Sequence, residues 1–491
     1  MASKLLTKTK YLYGIQCPKL LWMAVNRPAD IPEPDAATQY IFDQGYQVGE
    51  LAKKLYPDGM DVPQENFMGN IFKTRELLEL RLPLFEAGVM AGQLFSRTDI
   101  LNPVNEDEWD IIEVKSSTEI KDINIHDVSF QKLCWEEAGL KIRRCFLAYI
   151  NNKYVKNGEI NPEELFVIDD ISEPVAFNSL SIRDRVTGML DIINQPGPSA
   201  LDIGGHCSDP YDCPLMDSCW EGLPDNNVFT LYYGGKKSCA LYDSGIVEII
   251  NIPAGYKLND KQRIQQSCLA ENSIYVDKDG IEEFLGNLKY PLYYLDFETF
   301  NTAVPIYDGT RPYQNIPFQF SLHIQRQKDG ELEHYWYLAG GDGDPRLGLL
   351  EELQKYIGGS GSIVAYNKSF EENVLKRLAS SFPEYEEWIN NILPRFVDLI
   401  VPFRSFYYYN PLQQGSASLK KVLPAVTGVS YDGMPIAKGD DASLAYMEIA
   451  FGDIDDERRR ELRKNLLDYC GLDTKAMALI TGRLHQLLLN E

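Results

Sequence analysis

The sequence lacks the long apolar stretch that a membrane helix needs, because no run of about eighteen consecutive apolar residues occurs in it. Its first residues, MASKLLTKTKYLYG, also lack the apolar core of a secretory signal. Internal repeats and long low-complexity segments are absent as well. These absences exclude a membrane span and a repeat array, and they predict a cytoplasmic protein with no membrane partner. A chain of 491 residues should then form two to four globular domains.

Cysteine is sparse, and its count of nine is odd. An odd count argues against a complete disulfide framework, and thiols in the cytosol are mostly reduced or metal-bound. Five of the cysteines have no spacing typical of metal ligands, and we interpret them as packing residues: Cys134, Cys145, Cys239, Cys268 and Cys470. The remaining four are candidates for a metal centre.

Basic residues are in deficit, since 48 Lys and Arg stand against 72 Asp and Glu, for a net charge of −24. Taken alone, this balance argues against nucleic-acid binding, because attraction to phosphate depends on Lys and Arg. A site that binds divalent cations removes this objection, because its acids hold the metal and the metal supplies the positive charge that binds phosphate. The hydrophobic content of 44% and charged content of 24% are ordinary for a soluble globular protein.

Hydrophobic patterning divides the chain into three regions, residues 1–222, 223–288 and 289–491. The first alternates helical and strand-like patterns and ends in a cysteine cluster. The second contains the strand-like runs VFTLYY and GIVEIINIP, and we interpret it as a connector or small subdomain. The third predicts the strands LYYLDFETF, FQFSLHIQ and HYWYLAG, then a helix, the strand SIVAYN, another helix and a long final helix. This order predicts an α/β fold with a mixed sheet.

Two acids interrupt the apolar strand LYYLDFETF. Asp296 and Glu298 are two residues apart, so a strand points both to one face, about 7 Å apart along the chain. Further polar groups lie at strand ends or on helices: Asn367, Glu371, Asp398, Asp468, Tyr469 and Asp473. Such a set suits two-metal phosphodiester hydrolysis, in which carboxylates hold two Mg²⁺ or Mn²⁺ ions about 4 Å apart. A bound cation pair would explain why like charges share an apolar strand.

The motifs DFE, N-x-x-F-E and Y-x-x-x-D contain these residues in this order and resemble those of the DEDDy group of ribonuclease-H-like 3′→5′ exonucleases. The resemblance implies that Asp296, Glu298 and Asp473 bind metal and that Tyr469 holds the attacking water. Glu371 stands in place of the usual aspartate, with one extra methylene. The alternative is that DFE is a pair of acids at a strand edge and that the Y-x-x-x-D spacing is a coincidence. Either motif alone is weak evidence, but all three in the expected order favour the metal site.

The first region carries a second set of candidate catalytic residues. The runs LFSRTDIL and DEWDIIEVK predict a hairpin, with Asp99 on one strand and Glu113 and Lys115 on one face of the other. A helix with Gln131 and the strand CFLAYI follow. The pattern resembles the RecB-like PD-(D/E)xK nucleases. The resemblance implies that the two acids bind a divalent metal, that the lysine assists catalysis and that the glutamine belongs to the site. A surface hairpin with an ion pair is the alternative.

One element of the RecB-like pattern is missing. Those nucleases often carry a metal-binding histidine on an early helix, and Gly49 stands where it is expected. Glu50 is the candidate substitute. This departure puts the activity of the first site in question.

The remaining cysteines are Cys207, Cys213 and Cys219, in C-x5-C-x5-C spacing, and the distant Cys17. Four thiolates bind Zn²⁺ or an iron–sulfur cluster, and this spacing is wider than the C-x2-C pairs of common zinc fingers. The arrangement resembles the iron–sulfur RecB-like exonucleases, in which a 4Fe–4S cluster joins the two ends of the domain. Zinc, or reduced cysteines without metal, are the alternatives.

Asn367 and Lys420 are candidates for contact with nucleic acid, although Lys420 also fits a solvated helix face. Outside the connector, the chain resembles a bacterial family that joins an iron–sulfur RecB-like domain to a ribonuclease-H-like exonuclease domain. The resemblance implies a metal-dependent nuclease acting on DNA single strands or ends, in repair, recombination or defence, with a second RecB-like site. The alternatives are an exonuclease that processes RNA and a non-catalytic iron–sulfur protein that binds nucleic acid.

Overall fold

The computed structural model describes residues 4–64, 66–199, 203–341 and 343–489. The chain divides into two compact units, residues 1–221 with 302–314 and residues 222–301 with 315–491. Each unit combines helices with a mixed sheet, which confirms the predicted α/β class. Within the described ranges, no helix is long and apolar enough to cross a bilayer.

The described part of the first unit contains seven strands: β1 Leu6–Thr7, β2 Met60–Asp61, β3 Leu84–Ala91, β4 Leu94–Pro103, β5 Glu108–Lys115, β6 Lys141–Ile150 and β7 Phe166–Asp170. Their order in the sheet is β2-β3-β4-β5-β6-β7, with β1 paired to β4. The predicted hairpin is present, because β4 and β5 are antiparallel neighbours that pair Ile100 with Ile112. Strand β6 runs parallel to β5 and continues the sheet.

The helices of the first unit are α1 Lys8–Gln16, α2 Pro18–Asn26, α3 Ala36–Lys53, α4 Phe67–Leu78, α5 Asp122–Glu137, α6 Pro162–Leu165, α7 Ser172–Ser179, α8 Ile182–Asn194 and α9 Met216–Trp220. Helix α5 packs into the main core through Phe130, Leu133 and Trp135. Its Asp127 and Gln131 are 1% and 0% exposed. Because burial of a polar group is costly without partners, these two side chains must find them inside the unit.

The described strands of the second unit are β8 Tyr275–Val276, β9 Leu292–Phe300, β10 Ile316–Gln325, β11 Leu332–Leu338, β12 Ser362–Ala365, β13 Phe396–Asp398 and β14 Tyr408–Tyr409. Five of them form a sheet in the order β11-β10-β9-β12-β13, and β8 pairs with β14. Strands β9, β10 and β11 are antiparallel, whereas β12 and β13 continue the sheet in parallel. The four strands predicted from the sequence all occur, and the sheet is mixed as predicted.

Burial explains the sequence patterns of this sheet. The central strand β9 is nearly continuously buried, which requires the apolar run around its two acids. The edge strand β11 alternates exposed and half-buried positions instead. One face of β11 packs Tyr335 and Tyr337 against the core, whereas Leu332 and Trp336 on the other face are exposed.

The helices of the second unit are α10 Lys236–Asp243, α11 Asp260–Glu271, α12 Lys278–Gly286, α13 Arg346–Tyr356, α14 Ser369–Ser381, α15 Glu386–Ile392, α16 Val401–Arg404, α17 Leu419–Thr427, α18 Gly439–Phe451 and α19 Asp456–Leu489. The predicted long final helix is α19, which packs on β9 and β10. Buried Gln319 donates to the Leu466 carbonyl at 2.9 Å, and His323 Nδ1 lies 2.8 Å from Thr474 Oγ1. These contacts fix the rotation of α19 against the sheet.

The connector differs from its predicted form. The runs VFTLYY and GIVEIINIP contain 3₁₀ turns at Val228–Thr230 and Ile249–Asn251 rather than strands. A single bridge between Asn227 and Glu248 joins them. Their apolar side chains fill a separate small core with Leu241. The apolar runs correctly indicated buried side chains, but a short apolar run does not distinguish a strand from other buried backbone.

Candidate functional site

Four carboxylates of the second unit come together from three elements. Asp296 and Glu298 lie on β9, Glu371 lies in the first turn of α14 and Asp473 lies on α19. Ligand atoms of Asp296, Glu298 and the Cys470 sulfur lie within 4.8 Å of one another. The charge of Asp473 acts on Asp296 and Glu298, and that of Asp296 acts on Glu371. The four carboxylates therefore form one acid cluster.

The acid cluster is shielded from solvent. Glu298, Glu371 and Asp473 are 7%, 2% and 7% exposed, and Asp296 is half-buried. Burial is the main cause that raises the pKa of each carboxyl group, and repulsion between neighbouring acids adds to it for Asp296, Glu298 and Glu371. The pKa of Asp473 rises to about 7. In the absence of a cation, these groups therefore retain protons near neutral pH.

The residues of the acid cluster fit a divalent cation. None of the four carboxylates forms an ion pair with Lys, Arg or His in the described part of the chain. Glu371 Oε2 is buried without a hydrogen-bond partner. Buried carboxylates without partners are costly, and hard cations such as Mg²⁺ and Mn²⁺ prefer oxygen ligands. The donor set thus matches the metals that the sequence predicted.

Two tyrosines and a lysine surround Asp473. Tyr469 is buried on the same face of α19, and the Tyr431 hydroxyl donates a hydrogen bond to Asp473 Oδ1. Lys420 Nζ lies 5.4 Å from the ring centre of Tyr469 and 5.9 Å from that of Tyr431. Its charge opposes the rise in the pKa of Asp473 and of Glu298. Lys420 therefore brings positive charge to the edge of the acid cluster, and Tyr431 is a neighbour that the sequence did not indicate.

Cys470 also belongs to this site. Its sulfur lies 3.4 Å from Asp296 Oδ2, and the residue is fully buried. Burial raises the pKa of the thiol, so the S–H group donates to the carboxylate. The interpretation as a packing residue is therefore incomplete, because Cys470 is buried but contacts a predicted metal ligand. Its position three residues before Asp473 was the available signal, since such residues are neighbours on a helix surface.

Asn367 closes the turn that leads into α14. Its φ is +68°, in the left-handed region that Asn tolerates, and its N–H donates to Asp398 Oδ1 at 2.9 Å. Asp398 also accepts from the Ile400 N–H at 3.2 Å. Asp398 thus shapes the turn that positions Glu371. Asp468 is exposed on α19.

In the first unit, the four predicted catalytic residues converge from β4, β5 and α5. Lys115 Nζ lies 2.6 Å from Glu113 Oε1, and Gln131 Nε2 donates to Glu113 Oε2 at 2.6 Å. Asp99 Oδ2 accepts from the Val114 N–H at 2.8 Å. Asp99 also acts electrostatically on Lys115. The D…E-x-K set and the helix glutamine therefore meet around one point.

Two residues that the sequence did not indicate complete this first-unit site. Lys8 Nζ lies 3.0 Å from Glu113 Oε1 and 3.8 Å from Asp127 Oδ1. Asp127 also contacts Lys115 through Oδ2 at 2.8 Å and Gln131 through Oδ1 at 2.9 Å. Both carboxylates are thus saturated by donors from the protein. The spacing of four between Asp127 and Gln131 was a usable helical signal, whereas nothing in the sequence around Lys8 indicated its role.

The electrostatics of the first-unit site are those of a neutralised cluster. Burial lowers the pKa of Lys8 and Lys115, but the charges of Asp127, Glu113 and Asp99 outweigh it and raise the pKa of both lysines. Both ammonium groups therefore stay charged. Three acids and two lysines nearly balance here without a metal, unlike the acid cluster of the second unit.

The proposed substitute for the missing histidine lies elsewhere. Gly49 on α3 has open space at the position of a side chain. Glu50 is exposed and pairs with Lys53 at 2.6 Å, and Lys53 also pairs with Asp61. Glu113, by contrast, contacts Lys8, Lys115 and Gln131. The geometry thus places Glu50 in a surface ion-pair group.

The four cysteines with candidate ligand spacing lie close together. The charges of Cys17, Cys207 and Cys219 all act on Cys213, although burial is the larger cause that raises its pKa. None forms a disulfide, and the Lys19 ammonium lies 3.1 Å from Cys219 Sγ. Among the described residues, no three of these sulfurs lie within 4.8 Å of one another. Four thiols grouped in this way could hold zinc or an iron–sulfur cluster.

Comparison with known proteins gives distant likenesses. Residues 293–418 match a family model described as "Domain of unknown function (DUF2779)". The chain is 28% identical over 232 residues to the "Uncharacterized protein MG366 homolog" of Mycoplasma pneumoniae and 25% identical over 217 residues to "Uncharacterized protein MG366" of Mycoplasma genitalium. These matches cover 42% and 39% of this chain but 34% and 32% of the relatives, so the chain spans about a third of their length.

Among solved structures, the alkaline exonuclease LHK-Exo from Laribacter hongkongensis is similar over 38% of this chain and 87% of its own, at 11% identity and a TM-score of 0.24. A likeness at this level is too distant to assign a fold or a function.

Proposed function

We propose that this protein is a metal-dependent nuclease that hydrolyses phosphodiester bonds of DNA and trims single strands or ends in the 3′→5′ direction. The reaction takes place at the acid cluster, where Asp296, Glu298, Glu371 and Asp473 hold Mg²⁺ or Mn²⁺. The observation that carries this proposal is the convergence of four shielded carboxylates without a paired cation in the described structure. Such a cluster is costly unless it binds protons or metal, and bound metal allows its acids to ionise.

The remaining residues of the site have distinct roles. A bound pair of divalent ions supplies water activation and stabilisation of the leaving oxygen. Tyr469 stays a neutral phenol, because burial and the nearby acids raise its pKa, so its hydroxyl donates a hydrogen bond that orients the attacking water. Lys420 attracts the phosphate, since its ammonium lies at the edge of the cluster. Asn367 holds the turn before α14 and contacts the strand being degraded.

We assign residues 289–491 to a ribonuclease-H-like exonuclease domain of the DEDDy type and residues 1–222 to a RecB-like PD-(D/E)xK domain, with 223–288 as the connector. In the first unit, Asp99 and Glu113 would hold a second metal and Lys115 and Gln131 would assist. Lys8 now occupies Glu113 Oε1, so this second site binds metal only when that lysine withdraws.

The cysteine group gives the first unit its proposed cofactor. Cys17 precedes the catalytic residues, and Cys207, Cys213 and Cys219 follow them, so a 4Fe–4S cluster would join the two ends of this domain. Their C-x5-C-x5-C spacing, which is wider than the C-x2-C pairs of common zinc fingers, supports a cluster over a single zinc ion. A cross-link that closes so long a loop restricts the unfolded chain and stabilises the domain.

The test uses protein purified without oxygen, with Mg²⁺ or Mn²⁺ and single-stranded DNA labelled at either end, beside an RNA strand of matched sequence. The acid-cluster variant carries Asp296→Asn with Glu298→Gln, and the matched first-unit variant carries Asp99→Asn with Lys115→Met. We expect only the acid-cluster variant to lose stepwise 3′ trimming. Any cleavage that survives in it and disappears in the combined variant belongs to the first-unit site.

Each alternative predicts a different outcome of this test. Faster degradation of the RNA strand would favour an RNA-processing exonuclease that uses the same residues over a DNA nuclease. Binding without cleavage under either metal would reject both and favour a non-catalytic iron–sulfur protein that binds nucleic acid. The near-neutral charge of the first-unit site is the observation that favours this last alternative for that unit.

A further inference from the structure

A cavity of about 480 Å³ lies in the second unit, beside the turn that carries Asn367. Its volume is within the range of sites for small ligands. Tyr232 and Tyr233 of the connector form part of its lining, and Tyr366, Arg404 and residues 415–419 form much of the rest. The connector thus shares a cavity with the segments next to the acid cluster.

The two connector tyrosines present an aromatic surface. Tyr233 is 80% exposed, and Tyr232 is half-buried. Their ring centres are 4.6 Å apart in an edge-to-face arrangement, and Tyr232 packs in the same manner against Phe406 at 4.8 Å. A large aromatic ring gains nothing from solvent exposure, so the conformation must be imposed by its surroundings.

Buried hydrogen bonds hold the backbone of the two connector tyrosines in this conformation. The Tyr232 N–H donates to Gln265 Oε1 at 2.9 Å, and Gln262 Nε2 donates to the Tyr232 carbonyl at 2.9 Å. Both glutamines are on α11 and are at most 1% exposed. Tyr233 has a φ of +46°, a left-handed conformation that is costly for an aromatic residue. Strain held by a rigid frame is typical of functional positions.

The opposite part of the cavity is built just as closely. Gly415 has a φ of +70°, and a Cβ there would lie 2.0 Å from the Thr230 carbonyl oxygen. Gln265 Nε2 donates to the same oxygen at 2.8 Å. Because only glycine allows this approach, the loop before α17 is locked against the connector. The lining on both sides of the cavity is therefore fixed by the fold.

Positive charge and backbone donors line one side. Arg404 is exposed, and within the described ranges its guanidinium forms no ion pair or hydrogen bond. Helix α17 begins beside it, and its N-cap Ser418 makes no side-chain capping bond. The Lys421 N–H already donates to the Ser418 carbonyl at 3.0 Å, so the Leu419 and Lys420 N–H groups are the ones that can meet an anion.

We propose that this cavity binds one nucleotide, with its base stacked on Tyr233 and its phosphate facing Arg404 and the start of α17. The inference rests on the proposed nuclease function and names its substrate contact, a nucleotide of a single strand near the cleavage site. Aromatic rings stack on every base, so the site is tolerant of sequence. A free nucleotide has the same chemistry and is the other source of the ligand.

The test measures binding of a fluorescent oligothymidylate in EDTA, where metal-dependent cleavage is prevented. Stacking on an aromatic residue contributes about 1–3 kcal/mol per base, so we expect Tyr233→Ala to weaken binding about 5- to 150-fold. Tyr233→Phe should remain within about twofold of the unmodified protein, because the ring is kept. Trp336→Ala is the matched control, since Trp336 is an exposed aromatic residue (48%) on the edge strand β11, outside the cavity lining.

The salt dependence tests the phosphate contact. For a single strand, each neutralised phosphate contributes about 0.7 to the slope of log K against log salt, so Arg404→Gln should reduce this slope by about 0.7. Displacement of the oligonucleotide by thymidine monophosphate would identify a separate nucleotide as the ligand. Failure of the monophosphate to compete would identify a nucleotide within a strand, and either result supports the cavity if Tyr233→Ala weakens binding.

Equal binding by the unmodified protein, Tyr233→Ala and Trp336→Ala would overturn the proposal, as would no binding of either probe by the unmodified protein. Thermal unfolding of each variant separates lost binding from lost folding. Because binding is measured without metal, a protein that binds through Tyr233 but never cleaves would refute the nuclease function and leave the nucleotide site standing. If the unmodified protein and Tyr233→Ala cleave and bind DNA equally well, the nucleotide site would be refuted and the nuclease function would stand.

Discussion

Neutralising one acid of the cluster should stabilise the metal-free protein while destroying the proposed metal site. The change is Asp473→Asn, which keeps the size of the side chain and keeps Oδ1 as the acceptor for the Tyr431 hydroxyl. The substitution removes a buried negative charge that acts on Asp296 and Glu298. The free energy of unfolding should therefore rise in EDTA, although metal binding should be lost.

The magnitude follows from the pKa of Asp473, which is raised from 3.8 to about 7, mainly by burial. A difference of about three pKa units corresponds to about 4 kcal/mol at 1.36 kcal/mol per unit. Relaxation around a coupled cluster reduces this figure, so we expect a gain of about 2 kcal/mol. For a domain of roughly 250 residues, that gain raises the unfolding temperature by about 4–8 °C.

The sign depends on pH. A carboxyl group whose pKa is higher in the folded state binds its proton more tightly there, so stability falls as pH rises from about 4 to about 7. The penalty is complete above pH 7 and absent below pH 4. Asp473→Asn should consequently be more stable than the unmodified protein at pH 8 and equally stable at pH 4.

The assay is thermal unfolding in EDTA across this pH range, with Asp468→Asn as control because Asp468 is an exposed acid on the same helix. Addition of Mn²⁺ should stabilise the unmodified protein at pH 8 and leave Asp473→Asn unchanged. An Asp473→Asn protein that is no more stable than the control at pH 8, or that gains equally at pH 4, would refute the electrostatic reasoning.

Three further predictions concern other parts of the chain. Lys8→Gln removes an ammonium group 3.0 Å from Glu113 Oε1, so Mn²⁺ binding to a protein with an inactivated acid cluster should increase in calorimetry; unchanged binding would mean that Lys8 does not block the site. Cys213→Ala should abolish the visible absorbance of anaerobically purified protein, and retention of iron and sulfide in that variant would exclude Cys213 as a cluster ligand. Gly361→Ala should lower the free energy of unfolding by about 2 kcal/mol or more, because Gly361 has a φ of +94° and a Cβ there would lie 2.1 Å from the Pro291 carbonyl oxygen. Gly359→Ala should unfold like the unmodified protein in the same denaturation experiment, because a Cβ at Gly359 meets nothing within 4 Å.

Periodicity predicted the parts of the acid cluster that lie on regular elements. The alternation of a strand placed Asp296 and Glu298 together, and the helical repeat placed Tyr469 with Asp473. These rules depend only on local geometry, which the sequence determines directly. Likewise, the mixed sheet followed from the order of apolar runs.

The residues that sequence reasoning missed come from distant segments or from loops. Lys8 reaches Glu113 from more than a hundred residues away, and Tyr431 reaches Asp473 from a loop after α17. No periodic pattern relates such pairs, because tertiary packing alone brings them together. The strand prediction for the connector was wrong for a different reason. Its apolar runs are buried in irregular backbone, and a short apolar run has the same sequence pattern there as in a strand.

The two acid sites differ in the source of their compensating charge, and under the proposed function this difference decides which one takes up metal. At the first-unit site, Lys8 and Lys115 contact Glu113 and Asp127 directly, so two ammonium groups compensate the charge of these carboxylates. In the acid cluster, Lys420 acts only from the edge. Burial therefore forces those carboxyl groups to retain protons until a cation replaces them. A nuclease motif predicts ligands, but the balance of nearby charges determines whether the ligands are free to bind.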